Sequence, residues 1–300
     1  MTGRPLTLSR RVTLASQLKV GDMLGRGGGQ GAVYELPRHE GFVYKHYYEP
    51  IEGARQSFTE LVDAGQRLAP VLAARRVTAL WPVHVLGPAT SVEGYVMPLM
   101  PDRFRAEIHT PYGSDLQEAT LEFALEPPPG RAFYPVRQVT AGERVELLGL
   151  VGHFLHTLHD HGLVYGDLSL KNMRYATDPL ELLVMDMDGV HHISTPVIPA
   201  KDLANTPDWN DPHRTSELPL GFDLDRYKYA LLVYRLIVAN NVSRPFPEDA
   251  SEIVVPEESG LDADQRAAVE FLLHRAASTR TGGRPPIREW LALFEETAAV

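Results

Sequence analysis

Gly162-Leu163-Val164-Tyr165-Gly166-Asp167-Leu168-Ser169-Leu170-Lys171-Asn172 sets an aspartate and an asparagine five residues apart, directly after a long helical pattern. Fourteen residues past Asn172 comes Val184-Met185-Asp186-Met187-Asp188-Gly189, where an apolar β-like run ends in an acid. An aspartate at the end of such a run lies at the edge of a cleft. Asn172 and Asp186 together offer hard oxygen ligands of the kind Mg²⁺ takes alongside phosphate oxygens. Asp167 is then left to receive a hydroxyl proton. The plainer reading makes the same acids turn residues and helix caps.

Toward the N-terminus, Leu24-Gly25-Arg26-Gly27-Gly28-Gly29-Gln30-Gly31-Ala32-Val33-Tyr34 carries five glycines in eleven residues between β-like flanks. Glycine lets backbone N–H groups approach phosphate with no Cβ in the way. No Gly-Lys-Ser/Thr closes the run, so it is not a P-loop. Taken alone, it reads equally as a hairpin without a ligand. Fourteen residues after Gly31, Lys45 ends the short strand Phe42-Val43-Tyr44-Lys45, from which its amine could pair with phosphate. A strand-end surface lysine is the alternative. Glu60, on the helix that follows, is a candidate to hold Lys45 by an ion pair, and Glu52 competes for that place.

The rest of the chain sorts into a β-rich half and a helical half. Ala32 to Leu36, Val83 to Leu86 and Gly94 to Met97 read as strands, with Pro98 and Pro101 ending the last. Phe58, Leu61, Val62, Leu68, Val71 and Leu72 recur at near-helical spacing across residues 52 to 74. Residues 101 to 139, rich in proline, read as an irregular connection with one short helix around Asp115 to Ala124. Thr140, with Glu143 three residues on, reads as a capping box that opens a helix running to Gly162. A β segment at Leu182 to Asp186, a long loop to His213, an apolar helix from Asp225 to Ala239 and two further helices complete the pattern. The expected class is α+β with a cleft between lobes.

Composition narrows the classes of function. The net charge of −10 and pI of about 5.6 repel nucleic acid and anionic membrane, so neither is an expected partner. The absence of cysteine excludes disulfides, zinc–thiolate sites and a cysteine nucleophile. Residues 1 to 19 lack the apolar run of a signal peptide. The longest apolar run, Tyr229 to Ala239, contains Arg235 and is too short to span a bilayer. The expected location is the cytoplasm.

The ordered set of glycine loop, Lys45, Asp167, Asn172 and Asp186 resembles the protein-kinase signature. The resemblance covers about residues 20 to 295 and implies a two-lobed fold, with a small β-rich N-lobe (1–97) and a larger helical C-lobe (98–300). It implies ATP as substrate nucleotide and Mg²⁺, or Mn²⁺ in its place, as the ion. In this likeness Gly25, Gly27, Gly28, Gly29, Gly31 and Val33 border the phosphates and adenine. Met97 is the gatekeeper, and Pro98, Leu99 and Met100 form the hinge. Lys45 holds the α/β-phosphates with Glu60 orienting it, Asn172 and Asp186 bind metal, and Asp167 is the catalytic base. Asp225 matches the buried aspartate that braces the catalytic loop. Thr206-Pro207-Asp208-Trp209-Asn210-Asp211-Pro212-His213 is similar to the segment closing an activation loop, and Arg284-Pro285 to a late arginine–proline pair. More narrowly, Trp81-Pro82, Gly94 to Pro98, Gly166-Asp167 and Asp186-Met187-Asp188 resemble a bacterial branch. Its kinase-like proteins are found in stress- and tellurite-resistance-type gene clusters with a phosphatase and a von Willebrand-type partner.

The chain departs from that pattern at named places. The glycine loop carries one residue more than the usual spacing, so that the first glycine position falls on Arg26. Tyr165-Gly166 stands for His-Arg, which argues against activation by pairing a loop phosphate. Ser169 replaces a lysine near the γ-phosphate. Asp188 replaces the last glycine of Asp-Phe-Gly and is either a further metal ligand or simply polar. His213 replaces the glutamate that pairs with the late arginine. The expected reaction is transfer of the γ-phosphate of ATP to a protein Ser/Thr hydroxyl. The alternatives are a small-molecule kinase of the aminoglycoside- or choline-kinase-like type and a nucleotide-binding pseudokinase scaffold.

Overall fold

The computed structural model describes residues 13–25, 27–125, 127, 133–194, 208–213, 221–279 and 282–297. Arg26, Thr206 and Pro207, each singled out by the sequence, lie outside the described residues. The chain is a mixed α+β protein whose strands gather in the N-terminal half and whose helices gather in the C-terminal half.

Five antiparallel strands build the first sheet, in the order β1 (Met23–Leu24), β2 (Gly31–Glu35), β3 (Phe42–Glu52), β6 (Ser91–Pro98) and β5 (His84–Leu86). β3 is longer than the four-residue strand expected. Alternating side chains bury Val43 and Tyr47 on one face and Tyr44 on the other, so both faces of the sheet are covered. Helix α1 (Arg55–Ala73) buries Phe58, Leu61, Ala64, Gly65, Leu68 and Leu72, a single stripe at helical spacing. Ala54 and Phe58 join the core of the sheet, whereas Leu61 to Leu72 join the core of the helical half. Strand β4 (Val77–Ala79) also ties the halves together, because it pairs in parallel with β11 (Leu180–Val184).

Residues 101 to 139 differ from expectation. Asp115 to Glu118 belong to a hairpin of β7 (Arg105–Thr110) and β8 (Gly113–Glu118), and of the expected helix Leu121–Ala124 alone is helical, a 3-10 turn like the one at Asp102–Phe104. The strands were hard to read because β8 is exposed along its whole length and β7 buries only Ile108. Without a buried face there is no hydrophobic alternation to see. The chain then re-enters the core through Ala119, Leu121, Ala124 and Leu125.

Helix α2 (Ala141–Asp160) begins as its sequence requires. Thr140 Oγ1 accepts from the Glu143 amide at 3.2 Å, and the Glu143 carboxylate accepts from the Thr140 amide at 2.9 Å. It buries a broad face from Val145 to Leu158 at the centre of the helical half. Helix α3 (Phe222–Val233) continues into a π-helical turn over Tyr234–Ala239, and α4 (Ala263–Ser278) and α5 (Ile287–Thr297) pack behind it. Among the described residues, no helix is long and apolar enough to cross a membrane.

Candidate functional site

Two short ladders bring the chemistry-bearing loops side by side. β9 (Leu163–Val164) leads into residues 165–172, which lead out into β10 (Met173–Thr177). β11 leads into residues 185–190, which lead out into β12 (His191–His192). β10 pairs with β11, and β9 with β12, so both loops leave between the same two ladders. The Met185 amide donates to the Asn172 carbonyl at 2.9 Å, and the Tyr165 hydroxyl donates to the Met185 carbonyl at 2.8 Å. Local sequence thus fixes Asp167 and Asn172 opposite Asp186 and Asp188.

The first loop is braced from beneath. Asp225, fully buried on α3, accepts from the amides of Tyr165 and Gly166, each at 2.8 Å, and meets His159 Nε2 at 3.0 Å. Lys228, one turn along the same helix, donates to the Gly166 carbonyl at 2.8 Å. Gly166 has φ +78°, a left-handed value that a side chain would strain, and it lets both of its backbone polar groups face α3. Leu168 and Leu170 are buried in the core of the helical half and anchor the loop between Asp167 and Asn172. Asn172 Nδ2 donates to both the main-chain carbonyl and the carboxylate of Asp167, each at 2.8 Å. Ser169 is buried and its hydroxyl has no hydrogen-bond partner among the described residues; Lys171 is exposed.

Lys45 reaches the second loop from β3. Its ammonium lies 2.9 Å from Asp186 Oδ1, and 3.2 and 3.0 Å from the two oxygens of Asp188. The Tyr47 hydroxyl, from the same face of β3, donates to Asp188 Oδ2. Burial works against the charge of Lys45, yet Asp188, and Asp186 after it, hold its pKa well above the ordinary lysine value. Burial, reinforced by Asp188, pushes Tyr47 up and keeps it a neutral donor. Asp186 occupies a left-handed conformation, φ +49° and ψ +48°, a strained choice for a residue with a side chain and one that turns its carboxylate toward Lys45.

Two expected assignments change. Glu60 is exposed and accepts from Gln56 at 3.0 Å, on the face of α1 away from the Phe58–Leu61 stripe, so it stands outside the site. Glu52, its competitor, ends β3 and is exposed as well. Asp188, the further metal-ligand candidate, is 9% exposed in its side chain and engaged by Lys45 and Tyr47. It is the counter-ion of the lysine. Among the described residues, no group of three His, Asp or Glu side chains has a metal-holding arrangement. A divalent ion would rest on Asp186 and Asn172, with phosphate oxygens and water filling its shell.

The glycines divide by role. Gly31 sits inside β2 opposite Tyr47, where an added Cβ would come within 2.1 Å of the His46 carbonyl oxygen. Close packing of β2 on β3 by itself therefore requires a glycine at this position. Gly27 lies against the Tyr48 hydroxyl, whereas Gly28 and Gly29 form the open tip, with the Gly28 amide donating to the Gly31 carbonyl at 2.8 Å. Gly25 ends β1 in the left-handed region. Val33, Leu24, Met100 and Met185 are partly buried hydrophobics packed on the same cluster as Val43 and Met97. Leu99 departs from this lining. Its side chain is 44% exposed and its amide donates to the Gly41 carbonyl at 2.9 Å.

Two buried arginines anchor Asp208 to His213. Arg284 makes a bidentate pair with Asp211, at 2.8 and 2.9 Å, and a third contact with Asp223 at 2.6 Å. Arg235, from the π-helical turn, donates to the Asp208 carbonyl at 2.7 Å and lies 4.5 Å from the Trp209 ring centre. Asp211 thus supplies the partner for Arg284 that His213, exposed, does not. Sequence reading missed Tyr47, His159, Lys228 and Asp211. Two of these left a signal: Tyr47 shares a strand face with Lys45, and Lys228 is a cation one turn from Asp225, where the helix becomes apolar.

Compared with protein-family models and with curated proteins, the chain finds no match in either.

Proposed function

We propose that this protein is an ATP-dependent kinase of the two-lobed protein-kinase-like fold, transferring a phosphoryl group to a serine or threonine hydroxyl of a protein. The observation that carries this reading is the convergence of three distant stretches. Lys45 meets Asp186 at 2.9 Å across 141 residues of sequence, beside a loop in which Asn172 and Asp167 are joined at 2.8 Å. Acids serving only as turn residues have no reason to meet a buried lysine in this way.

In this reading the β-rich half is the small lobe and the helical half the large one. Leu24, Val33, Val43, Met97, Met100 and Met185 supply apolar surface suited to an adenine ring. Lys45 holds the α/β-phosphates. Asp186, whose side chain is 44% exposed, and Asn172 hold Mg²⁺ or Mn²⁺. Metal-bound ATP supplies the transferable phosphoryl group and neutralises its charge. Asp167 aligns the acceptor hydroxyl and takes its proton, and Asn172 and the Asp225 brace keep that carboxylate in place. The anchoring of residues 208–213 by Arg284 and Arg235 favours a protein acceptor, because it fixes the end of an activation-type segment. Ser169 favours the second reading, a small-molecule kinase, since no cation extends from that position.

The test is γ-phosphate transfer from labelled ATP with Mg²⁺ or Mn²⁺, wild type against Asp167→Ala, with the acceptor identified by mass spectrometry. Phosphoserine or phosphothreonine, lost at least ~10²-fold in the variant, is the expected result. Transfer that survives the substitution unaltered removes Asp167 from its role. Turnover confined to a metabolite moves the assignment to the second reading. ATP binding with no transfer makes the protein a scaffold.

A further inference from the structure

We infer that Asp188, oriented by Tyr47, is the residue that positions Lys45, in place of a carboxylate from helix α1; this rests on the kinase reading above and adds a positioning residue to it.

The geometry around the ammonium carries the inference. Asp188 offers Lys45 both carboxylate oxygens, at 3.0 and 3.2 Å, and its Oδ2 also accepts from Tyr47. Tyr47 lies two residues beyond Lys45 on the same face of β3. Lysine, tyrosine and aspartate therefore close a small triangle between the sheet and the loop after β11. The side toward α1 is closed by rings. The ammonium lies 5.9 Å from the centre of the Tyr47 ring and 5.8 Å from that of Tyr95, a favourable place for a cation. Phe58 of α1 packs on the same two rings at 6.1 and 5.8 Å and is fully buried. Bringing an α1 carboxylate to Lys45 would mean turning Phe58 out of the core and an acid into it, both unfavourable.

Burial divides the labour between the two aspartates. Asp186 is 44% exposed in its side chain and Asp188 9%. An exposed carboxylate exchanges partners at little cost, whereas a buried one is left uncompensated if its partner leaves. Asp186 is thus able to turn from Lys45 to an arriving ion, while Asp188 keeps the lysine in place. Lys45 is then aligned without a carboxylate from α1.

The experiment uses the full chain, four single variants (Asp188→Asn, Tyr47→Phe, Glu60→Ala and Lys45→Met) and the double variant of Asp188→Asn with Lys45→Met. KM for ATP and kcat are measured for phosphotransfer. In parallel, Lys45 in the nucleotide-free protein is labelled with a limiting amine-reactive reagent and quantified by peptide mass spectrometry. Asp188→Asn is expected to raise KM by about tenfold or more, as loss of a charge-assisted contact should, and to increase Lys45 labelling. Tyr47→Phe moves both in the same direction by a smaller factor, and provides the test if Asp188→Asn does not fold. Glu60→Ala leaves both within about twofold, as for an exposed side chain. Combining Asp188→Asn with Lys45→Met is no worse than Lys45→Met alone. A merely structural role would lower the active fraction and leave KM unchanged. If Asp188→Asn changes neither KM nor labelling, or if Glu60→Ala raises labelling as much, the inference is overturned, while Lys45-dependent transfer by wild type keeps the kinase reading. If no transfer occurs but Asp188→Asn still raises labelling, the positioning role stands and the kinase reading fails.

Discussion

Residues 27–30, in the glycine run, and residues 165–172, the loop that carries Asp167 and Asn172, are held in opposite ways. The first keeps its shape with backbone bonds such as Gly28 to Gly31 and Tyr48 to Gln30, and its tip at Gly28 and Gly29 is open. The second is fastened from below by Asp225, Lys228 and, through Asp225, His159, and from the side by Tyr165 and Asn172. Under the proposed function the contrast matches what each loop would contribute. A loop that meets a ligand with backbone amides has to come close and adapt, and its glycines permit that. A loop that contributes one carboxylate has to hold it within a fraction of an ångström, which takes a rigid supporting layer.

The strongest way to break this comparison is Asp225→Ala. Two buried amides and His159 lose their acceptor, so stability should fall by about 3–5 kcal/mol in urea unfolding, with any phosphotransfer lost as well. A cost below about 1 kcal/mol would mean that the loop at residues 165–172 is held by packing alone. The glycine loop sharpens the contrast at smaller scale. Gly31→Ala sets a methyl against the His46 carbonyl, a backbone atom that cannot swing aside, and should cost about 1–3 kcal/mol. Gly29→Ala, in open space, should change stability by no more than about 0.5 kcal/mol. Equal costs at Gly29 and Gly31 would show that the tip is packed and the division of glycine roles is wrong.

Much of this was legible in the chain. The capping box at Thr140 and Glu143, the apolar stripe of α2 and the single buried stripe of α1 are local patterns, and each formed where the residues required. The β7–β8 hairpin was not legible, because strands without a buried face carry no alternation. The same limit applied to side-chain partners. Spacing predicted that Lys45 needs a carboxylate and that the next helix has one, but helical phase turns Glu60 to solvent and Phe58 inward. The glycine run could not sort itself, since Gly31 differs from Gly29 only in what lies opposite, and the β2–β3 register decides that.

The sequence by itself determined the α+β order, the helix start at Thr140, and the residue types gathered at Lys45, Asp167, Asn172, Asp186 and Asp225. These are properties of local pattern and of chemistry at short range. Only the tertiary structure decided that Asp188 rather than Glu60 faces Lys45, that Lys228 and His159 complete the brace around Asp225, and that Asp211 receives Arg284. Those pairings join residues tens to more than a hundred positions apart. Burial makes each of them costly to leave unmade, so packing, and not spacing along the chain, selected the partners.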